Sequence, residues 1–227
     1  MKCITYTNSG HIDLCENMIK SFRSVNSETE FIIYCMDDAS YDFFENRGYT
    51  VKKADYVICK EGDHDWGNKE FRILIQNKFP IIKNELNDKI LFVDSDIFFY
   101  KDPIPHIENI LNHCDIVSQS DLPGTPFCTG FFAVNPSKSV NTIIDKIIDY
   151  NPQTDGDYDD QLRFIKFVIE TQTPIYVLDR YEFPNGHIGF IEKSSSDNKY
   201  MIHANYMIGH DVKVESLKNI GAWCVSS

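Results

Sequence analysis

Two aspartates that follow a short apolar run are the residues in this sequence best suited to do chemistry. The run, Ile90–Val93, predicts a fully buried strand of the kind found in parallel sheets, and Asp94-Ser95-Asp96 follows it directly. Open α/β sheets bind ligands beyond the carboxyl ends of their strands, and alternate residues project to the same side, so Asp94 and Asp96 can converge on one ligand. Carboxylate oxygens suit Mg²⁺ or Mn²⁺, which leave other coordination positions to water and phosphate. The sequence therefore predicts a divalent-cation site at this strand end.

Alternating strand and helix patterns surround this stretch and must position it. Apolar runs at 3–7, 31–36 and 90–93 predict strands, and periodic apolar residues predict helices after the first two. The alternation predicts an α/β fold with a mostly parallel central sheet flanked by helices, in a single domain that covers residues 1–227. Further helices are predicted at 69–78, 158–171 and 211–219, a polar loop at 60–68, and further strands or extended segments at 49–59, 115–120, 129–134, 174–178, 187–191 and 199–204.

The composition argues against several classes of partner. The chain has 227 residues and a formal net charge of -12, which disfavours nucleic acid or an anionic membrane surface as the main partner. The 7 cysteines include no CxxC pair, and their odd number excludes a complete disulfide framework, so we expect reduced thiols. Residues 1–10 are too polar for a signal peptide, and no apolar run approaches the roughly 20 residues that span a bilayer. We expect a cytoplasmic protein without a transmembrane segment, whose oligomeric state the sequence leaves open.

Four segments in a fixed order resemble a known enzyme family. They are DSDIFFYKDP from Asp94, CTGFFAVNPS from Cys128, DDQLRF from Asp159 and HANYMIGHDVK from His203. In order and separation they resemble nucleotide-diphospho-sugar transferases of the GT-A fold, a Rossmann-like fold, and most closely the subgroup that transfers galactose, xylose or arabinose with retention. The resemblance implies a metal-dependent glycosyltransferase, either a hexosyl- or a pentosyltransferase. Its donor would be a nucleotide-diphosphate sugar, expected to be a UDP-sugar, and its acceptor a hydroxyl group, expected to belong to a glycan.

The same resemblance implies roles for individual residues. A Mn²⁺ or Mg²⁺ ion is expected to be held by Asp94, Asp96 and His203. Asp160 and Gln161, with Asp159 as a third candidate, are expected to act beside the transferred sugar. Thr129 and Gly130 are expected to lie under the acceptor sugar or the donor sugar. The expected contacts of the donor nucleotide and its diphosphate are Thr5, Tyr6, Thr7, Arg72, Lys78, Asp94, Ser95, Gly130, Gly209 and Lys213.

Two other functions share some of these residues. An apolar strand that ends in DxD also presents the nucleophilic and acid/base aspartates of Mg²⁺-dependent haloacid-dehalogenase-type phosphatases, and Asp159-Asp160 could imitate their late acidic pair. Those proteins usually carry DxD near the N-terminus, followed by Thr or Val, whereas here it comes after several strands and before Ile97. A catalytically silent sugar-nucleotide binder would share every donor-site residue.

The stereochemical outcome of a transfer is also open at this level. Retention needs no dedicated base, because the departing phosphate can take the proton of the acceptor. Inversion requires a carboxylate that activates the acceptor hydroxyl, and Asp160 could be that base.

Overall fold

A seven-stranded sheet lies at the centre of the computed structural model, which describes residues 1–54, 76–122, 125–151 and 159–225. The strands in these ranges are β1 (Lys2–Thr7), β2 (Phe31–Cys35), β3 (Val51–Lys53), β4 (Ile90–Val93), β5 (Ile97–Phe99), β6 (Ile116–Ser120), β7 (Phe127–Val134), β8 (Ile175–Val177) and β9 (Met201–His203). The order in the large sheet is β3-β2-β1-β4-β7-β6-β8, and β5 pairs with β9 in a small second sheet.

Helices cover the two faces of the large sheet and begin at defined caps. Those in the described ranges are α1 (Ile12–Val25), α2 (Asp38–Glu45), α3 (Lys78–Glu85), α4 (Ile104–Leu111), α5 (Lys138–Ile148), α6 (Asp160–Thr171) and α7 (His210–Asn219). The side chains of Asp37, Ser137 and Asp159 accept hydrogen bonds from backbone N–H groups in the first turns of α2, α5 and α6. Apolar residues three and four apart give α5 its buried face, which consists of Val140, Ile143, Ile144 and Ile147.

The directions of the strands bring several strand ends to one edge of the sheet. β1 is parallel to β2 and β4, whereas β7 runs antiparallel to both of its neighbours, β4 and β6. Val93 at the end of β4 pairs with Phe131, so the residues that precede Phe131 in β7 lie beside the carboxyl end of β4. The carboxyl ends of β1 and β4 and the first half of β7 therefore form one edge, which is where open α/β sheets bind ligands.

Strand β4 is buried on both of its faces. Ile90 and Phe92 belong to a core layer with side chains from α3, α5 and α6. Leu91 and Val93 belong to the opposite layer, with side chains from α1 and α4. Alternate residues of a strand point to opposite faces, and both faces of this sheet are covered. The continuous apolar run that predicts a buried strand is thus explained, and the expected α/β class with a mostly parallel central sheet is confirmed.

The strand predicted at 187–191 is wrong, because His187–Ile191 forms a turn of π-helix. Asn185 causes this difference: its side-chain Oδ1 accepts the N–H of Ile188 at 3.0 Å, and its carbonyl accepts the N–H of Gly189 at 2.9 Å. A polar side chain that bonds to nearby backbone groups offers the chain an alternative to a sheet ladder. Conversely, Ile97–Phe99 forms strand β5 directly after the DxD residues, where no separate strand is predicted from the sequence.

The helix predicted at 69–78 is only partly covered by the structure. Residues 76 and 77 form a turn and α3 begins at Lys78, so Pro80 lies in the first turn, where its missing N–H does little harm. The remainder of that predicted helix lies outside the described residues, as do the loop predicted at 60–68 and part of the extended segment predicted at 49–59.

Two observations concern membranes and thiols. In the described ranges, no helix combines the length and the apolar character needed to cross a bilayer. The cysteines in these ranges are free thiols, and Cys3, Cys15, Cys35 and Cys128 are buried. Burial raises the pKa of the Cys3 and Cys15 thiols, so both remain protonated at neutral pH.

Glu85 joins the end of α3 to strands β1, β2 and β3 of the sheet. Its carboxylate accepts hydrogen bonds from Lys2 Nζ at 2.8 Å, from the Tyr34 hydroxyl at 2.6 Å and from Lys52. Burial would raise the pKa of Glu85, but these three donors outweigh it and lower that pKa to about 2 from an ordinary value of 4.5. Because α3 begins at Lys78, this anchor also helps to position a residue of the predicted site.

We predict that Glu85→Gln lowers the free energy of unfolding by about 2 kcal/mol near pH 7, because the charge-assisted bonds to both lysines are lost. A carboxyl with a depressed folded-state pKa stabilises the protein above its unfolded pKa, and this contribution disappears as pH falls through the folded pKa. The difference between the two proteins should therefore shrink between about pH 5 and pH 2. Urea unfolding across this range measures it.

Glu170→Gln is the matched control, because Glu170 and its partner Lys146 are both about two-fifths exposed and 3.2 Å apart. Such a surface pair contributes less than about 1 kcal/mol. If the loss in free energy of unfolding caused by Glu85→Gln stays constant as the pH is lowered, the pKa of Glu85 is not lowered in the folded protein.

Candidate active site

A cavity of about 590 Å³ lies beyond the carboxyl ends of β1 and β4. This volume is in the range of sites that enclose a cofactor-sized ligand. Thr5 does not line the cavity, because its side chain is fully buried within the sheet, and Arg72 lies outside the described residues. The predicted site residues that do line it are Tyr6, Thr7, Lys78, Asp94, Ser95, Asp96, Gly130, Asp159, Asp160, Gln161, His203, Gly209 and Lys213.

Asp94, Asp96 and His203 converge at the base of this cavity. Asp94 follows β4, and the pairing of β5 with β9 places Ile97 opposite His203, so the DxD segment and the histidine are brought together by the small sheet. The Ala204 N–H donates to the Asp96 carbonyl at 3.0 Å and extends this pairing. His203 Nε2 lies 3.1 Å from Asp96 Oδ1 and 3.9 Å from Asp94 Oδ2. One ligand atom from each of the three residues lies within 4.8 Å of the others, which suits a shared cation.

The orientation of the His203 ring is set by Gln119. Gln119 Nε2 donates to the Phe183 carbonyl at 3.1 Å, so its Oε1 faces His203 Nδ1, at 2.9 Å, and can only accept. The proton of a neutral imidazole therefore sits on Nδ1, and the lone pair of Nε2 faces the two aspartates. In this neutral tautomer the buried Nε2 carries no hydrogen for Asp96 Oδ1, which lies 3.1 Å away. A buried nitrogen lone pair that faces two carboxylates fits a divalent metal ion.

The charges at the base of the cavity balance one another. Lys213 Nζ donates to Asp96 Oδ2 at 2.7 Å. Burial would raise the pKa of Asp96, but Lys213 and His203 outweigh it and hold that pKa far below its usual range. Burial likewise disfavours the imidazolium, yet Asp96 raises the pKa of His203 to about 10. The negative charge of the two aspartates attracts a proton to Nε2, and it would attract a divalent cation in the same way. Such a cation binds the neutral form of the imidazole.

Gly130 leaves open the space in which the two ligand-bearing segments meet. A Cβ atom at this position would lie 2.4 Å from His203 Cε1 and 2.5 Å from Asp94 Oδ2, closer than packed atoms approach. The Gly130 carbonyl also accepts the Asp94 N–H at 2.7 Å. The glycine is therefore required by the close approach of side chains rather than by a turn.

Lys78 is a buried cation that joins α3, β4 and α6. Its Nζ lies 2.8 Å from Asp160 Oδ2 and 3.8 Å from Asp94 Oδ1, and it donates to the Thr129 carbonyl at 3.2 Å. Burial lowers the pKa of Lys78, but Asp160 and Asp94 outweigh it and raise that pKa well above its ordinary value. The Thr129 hydroxyl donates to the same oxygen of Asp160 at 3.2 Å. Asp160 is therefore held at the cavity wall by an ion pair and a hydrogen bond.

The side-chain amide of Gln161 is bonded at both ends. Its Oε1 accepts the Thr129 N–H at 3.0 Å, and its Nε2 donates to Asp121 Oδ2 at 2.9 Å. The second oxygen of Asp121 accepts the Tyr206 hydroxyl, whose pKa is raised by burial and by the Asp121 carboxylate. Neither Asp121 nor Tyr206 is among the residues predicted from the sequence. Asp121 directly follows β6, so the strand-end rule that selected Asp94 applies to it as well, whereas Tyr206 carries no such signal.

Two of the predicted site residues occupy helix starts. Asp159 caps α6, since its Oδ1 accepts the Leu162 N–H at 2.8 Å. Gly209 is the N-cap of α7 and has a φ of 92°, a left-handed conformation that favours glycine. The first turn of α7, which leads to Lys213, therefore opens towards the cavity.

Replacing the acceptor on Gln119 gives a test of the ligand geometry. We predict that Gln119→Leu lowers the affinity for Mn²⁺ about 10- to 100-fold, because the His203 ring loses the group that fixes its orientation and its proton. Isothermal titration calorimetry with the metal alone measures this affinity.

Gln119→Glu is the control, because it also loses the N–H donated to Phe183 but keeps an oxygen facing His203 Nδ1. This variant should bind Mn²⁺ at least as tightly as the unmodified protein, since a carboxylate makes the imidazole a more basic ligand. Equal losses in both variants would mean that the Phe183 contact, not the His203 contact, matters.

Comparison with known proteins connects this site to a family. A model of the nucleotide-diphospho-sugar transferase family matches residues 26–217. The chain is 24% identical to a UDP-galactose:fucoside alpha-3-galactosyltransferase of Dictyostelium discoideum, over 99% of this chain and 43% of that protein. It is 23% identical to a UDP-D-xylose:L-fucose alpha-1,3-D-xylosyltransferase of Arabidopsis thaliana, over 62% of this chain and 46% of that protein. The chain thus spans slightly under half the length of these curated relatives.

Solved structures of glycosyltransferases share the fold. The galactosyltransferase LgtC, in complex with donor and acceptor sugar analogs, superposes with a TM-score of 0.62 at 12% identity, over 100% of this chain and 98% of that one. The glycosyltransferase GlyE of Streptococcus pneumoniae TIGR4 gives a TM-score of 0.64 at 15% identity, over 89% of this chain and 54% of that one. The GT-A fold is confirmed, and none of these similarities supports the phosphatase alternative. Because the family model covers most of its length, this chain belongs to the nucleotide-diphospho-sugar transferase family.

Proposed function

We propose that this chain transfers a hexosyl or pentosyl group from a UDP-sugar to a hydroxyl group of a glycan, with Mn²⁺ or Mg²⁺ as its cofactor. The observation that carries the proposal is the convergence of Asp94, Asp96 and His203, with Lys213 beside them, in one cavity at the ends of β1 and β4. The curated relatives add the sugar classes, since their names specify UDP-galactose or UDP-xylose as donor and a fucoside or fucose as acceptor.

In this proposal the metal would be held by Asp96, His203 and Asp94. When bound, such an ion neutralises the charge that develops on a departing nucleotide diphosphate. Asp96 and His203 are almost fully buried, whereas Asp94 is about a third exposed and opens to the cavity. Asp94 is therefore the ligand that would also reach the ribose or the sugar of the donor.

The diphosphate would lie against α7. Lys213 supplies an ammonium to the phosphate oxygens, and the first turn of α7 offers backbone N–H groups and the positive end of its dipole. The glycine at the N-cap, Gly209, lets the backbone approach the ligand closely. Arg72, outside the described residues, is proposed as a second cation for the diphosphate.

The nucleoside would extend towards the end of β1. Tyr6 and Thr7 line that part of the cavity, and Ser95 continues the wall from the DxD segment. The Thr5 side chain is buried, so its contribution would be limited to holding β1 in the sheet. Tyr6 packs on Phe92 with ring centroids 5.7 Å apart, and burial raises the pKa of its hydroxyl, which therefore remains neutral beside a nucleotide.

The transferred sugar would lie over Thr129 and Gly130, beside Asp160 and Gln161. Asp160 accepts from the Thr129 hydroxyl and pairs with Lys78, and both contacts fix the position of its carboxylate. A carboxylate held beside the sugar ring would favour the positive charge that develops on that ring. We therefore assign to Asp160 electrostatic stabilisation of the sugar during transfer. Asp159, as the cap of α6, holds both residues in place.

Release of nucleotide diphosphate tests this function. The protein is incubated with Mn²⁺ and UDP-galactose, UDP-xylose or UDP-glucose, with and without a fucoside acceptor, and free UDP is measured. We expect release that the acceptor accelerates. Turnover of a phosphomonoester alone would refute the transferase function, and binding of donor without release would identify a silent binder.

We predict that Asp96→Asn reduces the release of UDP by at least about 100-fold, because the loss of a metal ligand removes several kcal/mol of transition-state stabilisation. The exposed residue Asp197 provides the control, and Asp197→Asn should leave the rate unchanged. Thermal unfolding of both variants checks that they are folded. An Asp96→Asn protein that is folded and fully active would rule out the assigned ligand set.

A further inference from the structure

We propose that Asp121, held by Tyr206, is a positioning residue that fixes the side-chain amide of Gln161 so that it presents an N–H group to an oxygen of the sugar being transferred. The part of Asp121 in the reaction rests on the function proposed above. The hydrogen bonds that join Tyr206, Asp121, Gln161 and Thr129, called the clamp below, rest on the geometry of the described residues. The proposal concerns Asp121 and Tyr206, neither of which is among the predicted site residues.

The two partners of Gln161 cannot exchange places. The backbone N–H of Thr129 can only donate, and it points at Oε1 from 3.0 Å. The carboxylate of Asp121 can only accept, and it faces Nε2 at 2.9 Å. A flipped amide would place donor against donor at Thr129 and acceptor against acceptor at Asp121. The orientation of the amide is therefore determined by its chemistry.

Asp121 is itself fixed by Tyr206. The Tyr206 hydroxyl donates to the oxygen of Asp121 that Gln161 does not use. Tyr206 stands in the segment that joins β9, which ends at His203, to α7, which is capped by Gly209. A chain of hydrogen bonds thus runs from the metal-ligand segment through Asp121 to the first turn of α6.

The clamp leaves one group of Gln161 for a ligand. An amide nitrogen carries two hydrogens, and Asp121 accepts one of them. No described residue accepts the other, and Gln161 lines the cavity. The surroundings of the reacting sugar therefore include a neutral N–H donor of fixed direction next to the Asp160 carboxylate, which offers only acceptors. A neighbouring donor and acceptor pair matches a sugar hydroxyl, which both accepts and donates.

The test combines four variants with two measurements. Asp121→Leu removes the acceptor while filling the space, Gln161→Leu removes the amide, and the double variant removes both. Asp121→Asn is the conservative variant, because its Oδ1 can accept from Gln161 while its Nδ2 donates to the Tyr206 oxygen.

The first measurement does not depend on turnover. Magnetic resonance spectra of the protein with isotope-labelled glutamine report each side-chain amide, and the Gln161 signal is assigned by its loss in Gln161→Leu. We expect a downfield Gln161 hydrogen, bonded to a carboxylate, that is distinct from the exposed amide of Gln172. The shift should vanish in Asp121→Leu and persist in Asp121→Asn. A Gln161 signal that coincides with that of Gln172 in the unmodified protein would overturn the clamp.

The second measurement is steady-state transfer. We expect Asp121→Leu to lower kcat about 10- to 100-fold with little change in the KM for the donor, and Asp121→Asn to recover most of that loss. The double variant should be no slower than Gln161→Leu alone, because Asp121 acts through Gln161. Multiplying losses in the double variant would overturn the positioning role. A clamp that is present in a protein without any transferase turnover would refute the proposed function and leave the geometry of Gln161 intact.

Discussion

The site depends on holding three carboxylates together at the end of an apolar sheet. Asp94, Asp96 and Asp160 repel one another, and their burial, which is nearly complete for Asp96, adds to the cost of their charges. Lys78 pairs with Asp160 and lies near Asp94, while Lys213 pairs with Asp96. Each cation stands on a helix of its own, so the packing of α3 and α7 against the sheet is also what makes the charge arrangement possible. A fold that moved either helix would leave a buried charge unpaired.

The fold could be predicted from the sequence to the extent that local patterns decide it. The apolar run of β4 is buried on both faces, as parallel strands are, and the caps at Asp37, Ser137 and Asp159 begin helices where periodic apolar residues start. The pattern fails at 187–191, where the side chain of Asn185 bonds to the backbone and starts a π-helical turn. Such a side-chain contact competes with strand formation but leaves no trace in hydrophobic periodicity.

Several predicted site residues lie together at one cavity where a strand end or a shared motif marks them. Asp94, Asp96 and His203 do converge, and Lys213 stands beside them, although 109 positions separate Asp94 from His203 in sequence. Gln119 and Tyr206 were missed because their importance comes from which atom each one faces, which depends on tertiary contacts. Thr5 shows the opposite limit: its place near the end of β1 suggested a ligand contact, but its side chain is fully buried, and only Tyr6 and Thr7 of this strand line the cavity.

Two glutamines fix the direction of the hydrogen bonds in this site by the same logic. Gln119 gives its N–H to the Phe183 carbonyl and so must offer an oxygen to His203, which leaves the Nε2 lone pair for a cation. Gln161 gives its N–H to Asp121 and its oxygen to the Thr129 N–H, which leaves one hydrogen for a ligand. An amide can serve in either direction, and in both cases a partner that only donates or only accepts removes that freedom. The polarity of the cavity therefore depends on the hydrogen-bond partners of its ligand-facing groups, so substitutions of those partners should alter its chemistry while the fold stays intact.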